Sequence, residues 1–121
     1  MRARQAGSRG GARQNQKATI ECWREDYTGK GGLLGRPVRV IVDDDQSDRT
    51  VVPGIYTKLI SVDKADMMLG PYGTNFVAPA MPTIIQNKRM LISYTAIGIN
   101  DLYHYDKYFS MVPVGSDGVN A

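Results

Sequence analysis

The sequence predicts an α/β fold: a mostly parallel sheet, doubly wound into three layers. Three observations point there. Val38, Arg39, Val40, Ile41 and Val42 form a β-branched run of the kind buried on both faces of a parallel sheet. Segments with apolar residues at helical spacing alternate with such runs, giving the order α-β-α-β-α-β-(α)-β. At 121 residues and 42% hydrophobic, the chain can bury one core without metal or disulfide staples, and a two-domain enzyme is excluded. Alternating strands and helices imply right-handed crossovers that cover both sheet faces.

Taken in order, residues 1–16 read as a flexible basic arm, and residues 17–121 as the folded body. Residues 1–17 hold five of the 15 Lys and Arg and no acid, and Gly7, Ser8, Gly10 and Gly11 interrupt them with no apolar repeat. The remaining residues carry ten bases against 12 acids, so the body is slightly acidic and a nucleic-acid partner is not expected. Ile20, Trp23 and Tyr27 then fall on one helical stripe, which Gly29, Gly31 and Gly32 terminate. The strand over 38–42 closes at Asp43, Asp44 and Asp45. Thr50 is the expected cap of the next helix, with Pro53 in its first turn and Val52, Ile55, Leu59 and Val62 on its inner face. A second strand spans 65–70. Thr74 is expected to cap a helix whose face is Val77, Ala80, Met81, Ile84 and Ile85, kinked by Pro82. Lys88 and Arg89 suit the negative end of that helix. Strands over 90–94 and 108–112 follow, around a short connection.

Ligands of doubly wound folds sit beyond the carboxyl ends of the strands, here three loops: 43–47, 70–75 and 95–100. The middle loop, Gly70-Pro71-Tyr72-Gly73-Thr74-Asn75, joins a hydroxyl and an amide to the unpaired N–H groups of a helix start, a set suited to a carboxylate. Tyr72 can wall such a pocket. Ser93, Tyr94 and Thr95 end the neighbouring strand and add hydroxyls for one small polar molecule. The plain alternative is a strand-to-helix turn in which the threonine merely caps.

Catalysis finds little support. His104 is the single histidine and Cys22 the single cysteine, so neither a metal site nor an internal disulfide is expected, and no cofactor is implied. Gly29, Gly31 and Gly35 precede a strand, whereas a dinucleotide fingerprint must follow one. Val40 to Asp45 looks like the opening strand and magnesium acids of a response-regulator receiver domain, which is the alternative signalling reading. Against it, no Asp or Glu lies between Met67 and Met90, where a phosphoacceptor would be needed. A non-binding structural fragment is a third reading. No window nears the ~20 apolar residues of a membrane helix, and no apolar h-region follows the basic start, so the chain as written is expected to remain cytoplasmic.

Several blocks in order are more specific than any one motif. Gly31-Gly32-Leu33-Leu34-Gly35-Arg36-Pro37-Val38, Asp43-Asp44-Asp45-Gln46-Ser47-Asp48, Leu59-Ile60 with Asp63-Lys64-Ala65-Asp66, and Leu69-Gly70-Pro71-Tyr72-Gly73-Thr74 resemble the branched-chain amino acid binding proteins of ABC importers. The resemblance runs from about Gly11 to Pro113 and implies that residues 17–121 are a partial N-terminal lobe of the type I periplasmic binding fold with its first strand missing. It implies solute binding without catalysis, a periplasmic location, an amino acid or small amide as ligand and an ABC permease as partner. Ligand contacts in that family come from loops matching Tyr72, Gly73 and Thr74, and Ser93, Tyr94, Thr95 and Ala96. Ile97 stands where the family favours a hydroxyl or small residue. The absent strand and second lobe imply exposed sheet edges, a route to self-association, and weakened affinity.

Overall fold

The computed structural model of the chain describes residues 10–111. The chain divides between Ser47 and Asp48 into two compact units.

In the first unit, helix α1 spans Gly10–Gly29. It begins earlier than the composition suggested, so part of the expected arm is helical; residues 1–9 lie outside the described residues. Ala12, Arg13, Gln14, Gln16 and Lys17 are strong helix formers, and Gly10 and Gly11 occupy the first turn. The predicted stripe is present: Ile20, Trp23 and Tyr27 are partly buried, and the Trp23 and Tyr27 rings lie 5.1 Å apart. Lys30 Nζ meets Asp26 at 2.7 Å one turn back, and this hydrogen bond raises the lysine pKa. Cys22 is exposed.

The run 38–42 is not a strand. Its β-branched residues favour extended backbone, but a strand also needs a partner for its N–H and C=O groups, and no ladder among the described residues includes it. Sequence reported the propensity and could not report the missing partner.

The second unit begins with helix α2 (Val52–Ser61), followed by β1 (Met68–Leu69), α3 (Thr74–Gln86), β2 (Leu91–Ser93), α4 (Ile99–Tyr103) and β3 (Tyr108–Ser110). Thr50 does not cap α2. Val51 holds that position, and the Thr50 amide and hydroxyl instead both donate to the Asp48 carboxylate, at 2.8 and 2.6 Å. The aspartate captures Thr50 in a local turn and so forestalls the cap. The buried face of α2 is Val52, Tyr56, Leu59 and Ile60, with Ile55 of the expected stripe packed at its margin and Val62 beyond the helix at 68% exposure.

The sheet is parallel, in the order β1-β2-β3. Register places Met68, Leu91 and Tyr108 in one row, so their side chains share a face. All three are buried, in one core with the inner faces of α2 and α3 and with Ile99 of α4. The predicted face of α3 is realised: Val77, Ala80, Met81 and Ile84 are inaccessible to solvent, with Ile85 packed at the margin. Full burial of each of the larger side chains contributes about 1.5–3 kcal/mol.

The edge of β1 is managed by a side chain. Met68 and Gly70 donate their N–H groups to Met90 and Ile92 of the β2 segment, at 3.3 and 2.7 Å. Alternation turns the Leu69 carbonyl to the opposite edge. There it accepts the hydroxyl of Tyr56 from α2. One aromatic residue thus fills the core and satisfies an edge carbonyl.

Candidate functional site

The ends of β1 and β2 lie side by side because the two strands are paired in parallel. At Gly70 a Cβ would sit 3.3 Å from the Ser93 Cα, so the absence of a side chain lets the two strand ends close up. The chain then turns through Pro71 and Tyr72 to Gly73, whose φ of 89° and ψ of 152° belong to a region essentially reserved for glycine. Gly73 is the N-cap of α3, and its carbonyl accepts the N–H groups of Phe76 and Val77, each at 3.1 Å.

Thr74, the predicted cap, is instead the first residue of the helix, with its side chain turned toward the next loop. Its Oγ1 accepts the Ile97 N–H at 3.0 Å and donates to the Ile97 carbonyl at 3.4 Å. In the other direction, the Gly73 N–H donates to Thr95 Oγ1 at 2.9 Å. The loop after β1 and the loop after β2 are therefore laced by reciprocal bonds from two threonines. The capping role passes to Gly73 because the Thr74 hydroxyl has a better acceptor-and-donor pair in Ile97 than in its own helix.

The six predicted site residues are brought together, with different roles. Tyr72, Gly73, Thr74 and Thr95 are part-buried and Tyr94 is 47% exposed, so these five line the strand ends. Ser93 is wholly buried: its hydroxyl accepts the Ala96 N–H at 3.2 Å and braces the turn from beneath. It therefore offers no side-chain group to a ligand. Two supporting roles carry no signal in the sequence. Ile97 anchors Thr74 through its backbone, and the Ser110 hydroxyl of β3 donates to the Ala96 carbonyl at 3.3 Å. Backbone partners carry no residue-type signal, so no motif reveals that role of Ile97.

The electrostatics favour an anion. The N–H groups of Thr74 and Asn75 open α3 with no preceding turn to accept them, and the positive end of the helix dipole lies at the same place. No Asp or Glu occurs from Met67 to Asn100. Tyr94 and Ile97, 47% and 54% exposed, add apolar surface beside these donors. Such an arrangement can hold a carboxylate and pack an apolar body, and it lacks a nucleophile–base pair.

The acidic loop 43–47, in the other unit, is engaged with itself. Asp44 and Asp45 accept the Gln46 and Ser47 amides, both at 2.8 Å, and both amide residues are left-handed. Among the described residues no three His, Cys, Asp or Glu gather in a way that could hold a metal ion. The described helices also include none long and apolar enough to cross a membrane.

A family model described as periplasmic binding protein matches residues 4–121. Among solved structures, the chain is similar to the branched-chain amino acid transporter substrate-binding protein LivJ from Streptococcus pneumoniae, solved with isoleucine. The TM-score is 0.84 at 18% identity, over 93% of this chain and 33% of that one. A putative branched-chain amino acid ABC transporter from Rhodospirillum rubrum gives 0.83 at 15% identity, over 93% and 33%. An ABC-type branched-chain amino acid transporter from Rhodopseudomonas palustris gives 0.75 at 21% identity, over 95% and 33%. At these identities the likeness establishes the fold, a mixed α/β lobe of the type I periplasmic binding kind. The chain spans about a third of the length of the structures it matches. No curated protein matches it significantly.

Proposed function

The chain belongs to the periplasmic binding protein family, and we propose that it forms the amino-acid-binding lobe of an ABC importer's solute-binding component. The observation that carries this reading is the pair of interlocked loops at the ends of β1 and β2, which frame the open N–H groups of α3. The ligand's carboxylate rests on those donors, beside the hydroxyl of Thr95, and its apolar side chain lies against Tyr72, Tyr94 and Ile97. Ser93 supports the loop and makes no side-chain contact with the ligand. The protein binds and does not catalyse. In a complete two-lobed protein, closure over the ligand would signal an ABC permease from the periplasmic side.

A single lobe supplies part of the contacts, so affinity in the millimolar range is expected, about 4 kcal/mol of binding free energy. The test is calorimetry of the full chain against a panel of L-amino acids at millimolar concentration. Saturable heat with apolar L-amino acids, and less with acidic or basic ones, is the expected result. An absence of saturable heat across the panel would overturn the reading.

A further inference from the structure

One segment of the first unit and one edge of the second carry matching open backbone groups. Among the described residues, the backbone N–H and C=O groups of Val38, Val40, Ile41 and Val42 have no hydrogen-bond partner. Val38, Val40 and Ile41 are nonetheless half-buried, where open amides are costly. As a strand, the segment would present Val38, Val40 and Val42 on one face and Arg39 with Ile41 on the other. In the sheet, Met68 and Gly70 spend their N–H groups on the β2 segment, so the Leu69 N–H points to the outer edge of β1, where no described residue accepts it. The Leu69 carbonyl, which takes the Tyr56 hydroxyl, keeps a second acceptor site. The other edge is less available, because the Tyr108 N–H of β3 already donates to the Tyr105 carbonyl at 3.2 Å. We propose that residues 38–42 of one copy add as a strand along the outer edge of β1 in a second copy, reciprocally, closing a two-fold dimer. No ladder among the described residues includes 38–42, and β1 pairs with β2 alone, so a second copy supplies each with its missing neighbour. The all-valine face then continues the buried row of Met68, Leu91 and Tyr108, and the face with Arg39 stays nearer to solvent.

The test is sedimentation velocity of the full chain from micromolar to millimolar concentration, with amide hydrogen exchange measured at both ends of that range. A dimer should form as concentration rises. Exchange at Leu69, and at alternate amides within 38–42, should then slow by about tenfold or more. The double variant Val40→Pro, Ile41→Pro removes whichever of these two amides faces β1. Neither has an acceptor in the single copy, so exchange within α3 should match wild type, showing an intact fold, while the variant stays monomeric. A synthetic peptide of residues 37–43, added to the variant, should slow Leu69 again. The proposal is overturned by a strictly monomeric wild type, by a dimer whose Leu69 amide exchanges as in the monomer, by a variant that still dimerises, or by a peptide without effect. Protection gained at Tyr108 and Ser110 instead would put the contact at β3 and overturn it as well.

Discussion

The hydroxyl of Tyr103, in α4, donates to the carbonyl of Ala78, in α3, across 3.1 Å. The donor that an uninterrupted helix would supply to that carbonyl is the N–H of residue 82, and residue 82 is proline. A residue far along the chain thus fills the gap that Pro82 opens, and α3 runs continuously from Thr74 to Gln86. Because α3 begins at the candidate site, this repair also steadies the N–H groups that open there.

Removing the Tyr103 hydroxyl should therefore leave a part-buried carbonyl without a donor. Tyr103→Phe is expected to cost about 1 kcal/mol in urea unfolding. In a Pro82→Ala background the helix provides its own N–H, and the same substitution should cost much less. Equal costs in both backgrounds would refute the compensation.

Gly73→Ala tests the backbone at the helix start. A Cβ there meets no atom within 4 Å, so the penalty is conformational strain alone, about 1–3 kcal/mol. Denaturation midpoints measure it, and an unchanged midpoint would show that the turn relaxes freely.

Ser93→Ala should destabilise by about 1–3 kcal/mol, since it strands the buried Ala96 N–H that the serine hydroxyl accepts. Faster exchange of the Ala96 amide would accompany the loss. If stability and exchange are both unchanged, the brace is dispensable.

The Asp48 carboxyl is held below its ordinary value of 3.8, first by the Thr50 hydroxyl and then by the Thr50 amide. A lowered native pKa means that the stabilisation is fully present above the unfolded value and disappears as pH falls through the native one. An NMR titration of the Asp48 side chain should show the lowered value, and Thr50→Val should return it toward 3.8. The carboxyl is fully exposed, so the effect on global stability is expected to be small.

How far the sequence could be read depends on the range of each interaction. The apolar spacing of α3 named Val77, Ala80, Met81 and Ile84 correctly, because a helix repeats its own geometry. On α2 the spacing names Val52 and Leu59 but not Tyr56, an aromatic residue with a polar tip that both fills the core and reaches the Leu69 carbonyl. Both expected threonine caps failed for one reason. A hydroxyl bonds whichever partner lies nearest, and for Thr50 and Thr74 that was Asp48 and Ile97.

By itself, the sequence determined the α/β class, the order of helices and strands from residue 52 onward, and the loops that follow β1 and β2. These follow from periodicity and from glycine, proline and threonine chemistry, all local properties of the chain. Tertiary structure alone decided that 38–42 forms no ladder, that Ser93 turns inward, and that Gly73 bonds Thr95, Ile97 bonds Thr74 and Tyr103 bonds Ala78. Those bonds join residues 22, 23 and 25 positions apart. A hydrogen bond requires its partner within about 3 Å, and that closeness arises only once strands and helices have packed.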